Sequence, residues 1–156
     1  MNDAELMRLA IAEARKGMAA GQTPFGACIA RHGEPIVLAH NTVWHDTDIT
    51  AHAEIVAIRE ACRRLCSVDL GSCAIYSTTE PCPMCFAACH WARISTIVFA
   101  TGIDDARRAG FSELAISNEQ MKRDGGSTTE VRGGVLRDEA IQLFEEWSRS
   151  PGRRTY

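Results

Sequence analysis

The chain has 156 residues, of which 46% are hydrophobic and 24% are charged. This length favours a single domain over residues 1–156 with a full apolar core, and the composition excludes a disordered or collagen-like chain. Lys and Arg number 17 against 20 Asp and Glu, so the formal charge of −3 excludes a global cationic field for general nucleic-acid binding. The chain has no apolar run of membrane-spanning length, and acids stand at the N-terminus where a signal peptide carries bases. These features predict a cytoplasmic protein.

The chain contains seven cysteines, an odd number scattered through apolar stretches. A chain of this length does not need disulfides to stabilise its core. Most of the cysteines are therefore predicted to be free, buried thiols or metal ligands.

The first half of the chain predicts a helix, a hairpin and a second helix. Apolar residues recur at helical spacing over residues 3–18 and again over residues 52–66. Between them, two short apolar runs at 26–31 and 35–43 flank His32-Gly33-Glu34, which is typical of two antiparallel strands joined by a turn.

The second half predicts strands covered on both faces. Residues 73–77 and 97–100 are nearly unbroken apolar runs, and residues 83–93 fit a crossover helix between them. The remaining predicted elements are a short helix at 104–109, a polar stretch to residue 127, a fifth strand at 131–136, a helix at 139–148 and a tail at 149–156. This order predicts a three-layer α/β domain.

The strongest chemical signal is the pair Cys82 and Cys85, spaced i and i+3 within Pro-Cys-Pro-Met-Cys. At the start of a helix this spacing puts two sulfurs on one face, and Pro83 suits the first helical position. The free N–H groups and the positive end of the helix favour thiolates there. With His52 as third ligand, a tetrahedral zinc keeps an open fourth position, which is the pattern of catalytic zinc sites.

Glu54 follows His52 by two residues, and the two side chains converge only if His52 lies at the start of a helix. Thr50 is the predicted N-cap residue, which places His52 in the first turn. Zinc acidifies its bound water, so Glu54 can take the released proton and deliver it to a substrate ring nitrogen. The alternative is that Cys82 and Cys85 are buried thiols or a redox pair, and that His52 and Glu54 are an ordinary helix cap and a surface acid. The two prolines and the His-x-Glu pair favour the metal site.

The combination of His-x-Glu with Pro-Cys-x-x-Cys is the zinc deaminase signature. The chain resembles the cytidine deaminase superfamily, and within it the guanine deaminase-like branch, along its whole length. Residues 50–62 (TAHAEIVAIREAC) and 80–93 (EPCPMCFAACHWAR) carry most of the specificity.

The resemblance implies a three-layer α/β/α fold in which a mixed five-stranded sheet lies between helices. It also implies Zn²⁺ as the cofactor and a small nucleobase as the substrate. The implied zinc ligands are His52, Cys82 and Cys85, and the implied proton shuttle is Glu54. The residues expected to contact the substrate are Phe25, Asn41, Ala53, Trp91, Glu113 and Tyr156.

Several of these contacts have a structural alternative. The Phe25 ring either stacks on a purine or packs in the core. The Asn41 amide either contacts the edge of the substrate or caps the following loop. Guanine deaminases carry acids after the segment that precedes Glu113. Glu113 supplies a carboxylate there, but its side chain is longer than theirs. Tyr156 belongs either to a tail that closes over the site of a neighbouring subunit or to a frayed terminus. Thr78-Thr79 departs from the Ser-Cys that is common in that branch.

Trp91 and the small residues near it predict a self-complementary patch on the zinc helix. Ala87, Ala88 and Ala92 lie beside it in the sequence. This patch and the resemblance imply a homodimer, with C-terminal tails that can be exchanged between subunits. The alternatives are that these residues are core, or that Trp91 forms a wall of the base pocket.

The leading functional hypothesis is hydrolytic deamination of a free nucleobase, guanine first. Another small heterocycle, such as isocytosine, cytosine or the aminotriazine ammeline, is the alternative within the same chemistry. A tRNA adenosine deaminase is a second class, which needs a basic surface for an anticodon stem. A non-catalytic zinc protein is a third, and the presence of Glu54 argues against it.

Overall fold

A five-stranded sheet forms the centre of the protein. In the computed structural model, which describes all 156 residues, the strands are β1 (Gly26–Arg31), β2 (Glu34–His40), β3 (Cys73–Thr79), β4 (Thr96–Thr101) and β5 (Glu130–Arg132). Their order is β2-β1-β3-β4-β5, with β1 antiparallel to both neighbours and β3, β4 and β5 mutually parallel. The predicted mixed five-stranded sheet is confirmed.

Seven helices surround the sheet, two more than the sequence predicts. They are α1 (Asp3–Ala19), α2 (Val43–Asp46), α3 (Ala53–Leu65), α4 (Pro83–Trp91), α5 (Ile103–Arg108), α6 (Asn118–Gly125) and α7 (Arg137–Ser148). No helix combines the length and the apolar character that a membrane crossing needs.

The helices cover both faces of the sheet, and alternate strand residues point to opposite faces. On one face α3 and α4 pack against Ala27, Ile29 and Ile75. On the other face α1 and α7 pack against Cys28 and Tyr76. The three-layer arrangement is therefore as predicted, with one apolar core on each side of the sheet.

Helix α1 begins with a capping box formed by Asn2 and Glu5. The Asn2 side chain accepts a hydrogen bond from the Glu5 N–H, and the Glu5 carboxylate accepts one from the Asn2 N–H. These two bonds satisfy free N–H groups of the first turn. The helix then passes so close to β1 that a Cβ on Gly26 would lie 2.3 Å from the Ala10 carbonyl oxygen. Only glycine fits at that crossing.

Helices α2 and α6 lie where the sequence predicts a strand end and a polar stretch. Helix α6 is polar, and its signal is local: the Ser117 side chain caps it by accepting a hydrogen bond from the Gln120 N–H. Helix α2 is a single turn that ends at Thr47, a residue with positive φ. Elements this short or this polar give no apolar periodicity to detect.

Candidate active site

The three predicted metal ligands meet where two helices begin. His52 is the N-cap residue of α3 and Cys82 is the N-cap residue of α4, and both have extended backbone angles. Cys85 lies one turn into α4 and is buried. The prediction that Thr50 caps α3 is wrong, because the Thr50 hydroxyl instead donates to Asp48 Oδ1 at 2.6 Å. Since neither N-cap side chain bonds its own helix, both point to the shared site.

The donor atoms have the separation that a tetrahedral zinc requires. His52 Nδ1 lies 3.6 Å from Cys82 Sγ and 3.6 Å from Cys85 Sγ. With Zn–S near 2.3 Å and Zn–N near 2.0 Å, tetrahedral geometry places nitrogen and sulfur ligands about 3.6 Å apart. The residues present therefore fit zinc, with one coordination position open for water.

The electrostatics of the site favour a thiolate. Hydrogen bonding from the Cys85 thiol lowers the pKa of Cys82 to about 4, and the His52 side chain acts in the same direction. The pKa of Cys85 is raised, because it shares a proton with Cys82 and is buried. The lowered pKa favours the thiolate form of Cys82, and the positive ends of two helices face the same point.

The carboxylate of Glu54 lies beside the ligands inside the protein. Its Oε2 is 3.5 Å from Cys85 Sγ, and its Oε1 accepts a 2.9 Å hydrogen bond from the Ser77 hydroxyl. Burial raises the pKa of Glu54, so a proton is easier to place on this carboxyl than on an exposed one. A buried carboxyl held by a neighbour and facing the metal position is suited to carry protons.

Sequence analysis assigned no role to Ser77, which is buried in the middle of β3. Its partner Glu54 is 23 residues away in the sequence, and only the packing of α3 on β3 brings the two together. No local spacing pattern signals a pair of this kind.

Glu80 and Asn118 fix the loop that carries Cys82. Glu80 Oε1 accepts from the Asn118 N–H at 2.8 Å, and Asn118 Nδ2 donates to the Pro81 carbonyl at 2.6 Å. Glu80 Oε2 also accepts from the Ile103 N–H at 3.4 Å. Sequence analysis assigned neither residue a role, although Glu80 belongs to the quoted motif. These bonds tie the starts of α5 and α6 to the metal loop.

Two of the predicted substrate contacts line the small cavity at the metal position. Phe25 and Glu113 lie there together with His52, Glu54 and Cys82. Burial raises the pKa of Glu113 to about 7, and the nearby Cys82 adds to the rise. The cavity thus holds a second carboxyl group whose proton can be exchanged near neutral pH.

Phe25 lines this cavity, and its ring also packs edge-to-face on Phe111 at 4.7 Å, as a core residue does. Asn41 caps the following loop, since its Oδ1 accepts from the Val43 N–H at 3.1 Å. Its Nδ2 donates to the Tyr156 hydroxyl at 2.6 Å.

The C-terminal tail lies in the site of its own chain. The Tyr156 ring is 5.5 Å from the His52 ring and 5.8 Å from the Phe111 ring, centre to centre. The guanidinium of Arg154 stacks over Trp44 at 4.1 Å, which holds the tail from outside by a cation–π contact. The tail is therefore packed against the site and is not a frayed end.

The tail leaves little space beside the metal ligands. The cavity between Phe25 and Glu113 has a volume of about 20 Å³, enough for roughly one water molecule. A larger cavity of about 300 Å³ also reaches the metal ligands, since His52, Cys82, Glu113 and Tyr156 line it together with apolar residues such as Ile49, Met84 and Leu114. A flat heterocycle needs more space than the inner cavity gives, and the Asn41 amide beside it is held by the Tyr156 hydroxyl at 2.6 Å.

Two predicted contacts are placed differently by the structure. The Ala53 side chain is buried in the apolar core of the α3 and α4 face, so only its backbone can face a substrate. Trp91 is 82% exposed and lies at the opposite end of α4 from Cys82. It lines a separate cavity with His90 and Arg93. Within its own chain, Trp91 lies outside the cavity at the metal ligands.

This fold, with one histidine, two cysteines and an adjacent glutamate at the ends of helices, defines the class of zinc-dependent deaminases. The chain belongs to the cytidine and deoxycytidylate deaminase family, whose zinc-binding region matches residues 1–101.

Curated relatives include guanine deaminase of Bacillus subtilis, 35% identical over 157 residues and 100% of both chains. The tRNA-specific adenosine deaminase of Aquifex aeolicus is 45% identical over 94 residues, which cover 60% of this chain and 62% of that one. Among solved structures, guanine deaminase from Nitrosomonas europaea matches with a TM-score of 0.85 at 30% identity, covering 92% of this chain and 82% of that one.

Proposed function

We propose that the protein hydrolyses the exocyclic amino group of a free nucleobase, with guanine and water giving xanthine and ammonia. The observation that carries this proposal is the buried Glu54 carboxylate, held by Ser77 and facing the three metal ligands. Two guanine deaminases among the relatives support the choice of base, because they match 100% and 92% of this chain.

The chain's own residues divide the work of this reaction. His52, Cys82 and Cys85 would hold zinc, which when bound would supply an acidified water. Glu54 takes a proton from the attacking water and passes it to the adjacent ring nitrogen. Glu113 passes the second proton of that water, from the newly formed hydroxyl, to the amino group, so that the C–N bond breaks as the carbonyl forms. Ammonia then leaves.

Other residues position the base in this proposal. Phe25 packs against the flat ring, and Asn41 turns its amide to a ring edge. Tyr156 occupies this volume in the structure described here and moves aside as the base enters. Ala53 contributes through its backbone.

A tRNA adenosine deaminase is the second candidate function, favoured by the identity to the Aquifex aeolicus protein. The structure supports it less well. The formal charge is −3, and the paired arginines Arg63 and Arg64 bind Glu60. A free base also needs less space than an extruded nucleotide with its phosphates.

Seven free cysteines further support a protein of a reducing compartment, and we place it in the cytoplasm.

The purified protein is expected to release ammonia from guanine or from a second small base, and not from adenosine in an anticodon stem-loop. The panel is guanine, isocytosine, cytosine, ammeline, guanosine, adenosine and the stem-loop. Turnover of a neutral base should change little between 50 mM and 200 mM salt, whereas a protein that neutralises several phosphates loses affinity by about 10³–10⁵. Deamination of the stem-loop alone, with steep salt dependence, would contradict the small-base proposal.

A homodimer is also part of the proposed function. Trp91 is 82% exposed at the end of α4, and an exposed indole is a common centre of a protein interface. Exchange of the tails between subunits stays a prediction, because the tail described here contacts its own chain.

Light scattering is expected to give a particle of twice the 17.1 kDa chain. Trp91→Glu should shift the protein towards a monomer, because a charge in the centre of an apolar interface is costly to desolvate. Leu38→Glu, on the edge strand β2, is the matched control and should stay dimeric. A wild-type monomer across a wide concentration range would exclude the dimer.

A further inference from the structure

The hydroxyl of Thr23 is buried and has no hydrogen-bond partner. Thr23 is 0% exposed, and its Oγ1 is one of only three buried side-chain polar atoms that lack a partner. Buried polar groups in proteins are nearly always hydrogen-bonded, because leaving one unpaired costs its full desolvation free energy. The unpaired hydroxyl therefore marks a place where a partner is missing.

Thr23 lies beside two residues of the base pocket. Its carbonyl accepts from the Phe25 N–H at 2.8 Å, and the Phe25 carbonyl accepts from the Asn41 N–H at 3.0 Å. The three residues thus stand side by side on adjoining backbone. No motif points to Thr23, since its position is set by this pairing of two loop segments.

The Thr23 and Asn41 side chains both lie against the Tyr156 hydroxyl. Asn41 Nδ2 donates to the Tyr156 hydroxyl at 2.6 Å. Burial raises the pKa of that phenol, and the adjacent Thr23 and Asn41 side chains oppose the rise. Thr23 is therefore next to the Tyr156 hydroxyl, although it makes no hydrogen bond of normal geometry with it.

A base that takes the place of the Tyr156 ring meets both groups at its far edge. The ring that bears the reacting amino group has to face Glu54 and the three metal ligands. In a purine, this leaves the imidazole half, with its two ring nitrogens, for the wall formed by Thr23 and Asn41. A threonine hydroxyl donates and accepts, so it can pair with a ring N–H or with an unprotonated ring nitrogen.

We propose that Thr23 is a substrate-binding residue that, with Asn41, hydrogen-bonds the imidazole edge of a purine base and so selects purines. The assignment rests on the proposed function and adds to it the part of the base that is read. A monocyclic base does not reach this wall while its amino group faces Glu54.

Two variants separate the hydroxyl from the shape of the side chain. Thr23→Val removes the hydroxyl at nearly constant volume, and Thr23→Ser keeps it. The substrates are guanine and two analogues, 7-deazaguanine and 9-deazaguanine. Each analogue carries a carbon in place of one imidazole nitrogen of guanine. An analogue that is not turned over is measured as a competitive inhibitor. Thermal unfolding is followed in parallel.

For guanine, Thr23→Val is expected to raise KM about three- to tenfold, the loss of one hydrogen bond, with kcat nearly unchanged. Thr23→Ser should restore most of the affinity. The penalty should disappear for one deaza analogue, because that analogue lacks the atom that Thr23 contacts. The melting temperature of Thr23→Val should not fall, since the lost hydroxyl has no partner in the free protein.

An unchanged KM for guanine, or an equal penalty on guanine and both analogues, would overturn the assignment of Thr23. An equal penalty would show that the substitution acts through the fold or the tail. A wild-type protein that releases ammonia from none of the bases would overturn the proposed function, and the assignment with it. An active wild type with an unaltered Thr23→Val variant overturns the assignment alone.

Discussion

Glu54→Gln is expected to lower kcat by about a hundred- to ten-thousandfold while zinc stays bound. Glutamine keeps the shape of the side chain and can still meet the Ser77 hydroxyl, but it cannot take up or deliver a proton. General acid–base catalysis by one positioned group contributes a factor of this size. The measurement is turnover of the best base in the panel, with zinc content determined on the same sample.

Glu60→Gln, on the same helix, is the matched control. Glu60 lies on the outer side of α3 and pairs with Arg63 and Arg64, so its loss should leave turnover close to wild type. Near wild-type turnover by Glu54→Gln would remove Glu54 from the mechanism. Loss of zinc from Glu54→Gln would show that this carboxylate is a ligand instead.

Cys85→Ala is expected to lose most of the bound zinc and all measurable turnover. Cys85 is one of three protein ligands, and the remaining His52 and Cys82 cannot form a tetrahedral site by themselves. Because metal binding contributes to folding free energy, the melting temperature should fall as well. The measurement is elemental analysis of the purified protein, which should give about one zinc per chain for the wild type.

Cys89→Ala tests whether this effect belongs to the metal site. Cys89 lies one turn beyond Cys85 on α4, is fully buried, and has a pKa raised by burial, so it is a core thiol. Its replacement should retain zinc and cost only the packing of one small side chain. Full retention of zinc by Cys85→Ala would refute the ligand assignment.

The sheet and the metal site were predictable because their signals are local. The i, i+3 cysteines and the His-x-Glu pair identify ligands and acid without a structure, and the apolar runs at 73–77 and 97–100 identify two central strands. The error at Thr50 has a physical reason: Asp48 takes its hydroxyl, and α3 begins two residues later. Helix caps of this kind depend on competition between neighbouring side chains.

The wall of the pocket was less predictable, because it depends on contacts between distant segments. Ser77 meets Glu54 across 23 residues, and Asn41 meets Tyr156 across 115. Trp91 lies on the zinc helix, but the length of α4 carries it to the end of the helix far from Cys82, so its contact with a substrate stays a prediction. Burial of Thr23 gives no signal in a short polar loop.

Because Tyr156 lies in the pocket, substrate affinity depends on two sites, the pocket itself and the contact of the tail with Trp44. In the proposed function a base that pairs with Asn41 displaces the Tyr156 hydroxyl, so the apparent dissociation constant equals the intrinsic one divided by the fraction of molecules whose tail is displaced. Any change that stabilises the stacking of Arg154 on Trp44 weakens apparent binding without altering an atom of the pocket. Surface residues of the tail can thus adjust the working concentration range of the protein, while the specificity of the pocket remains the same.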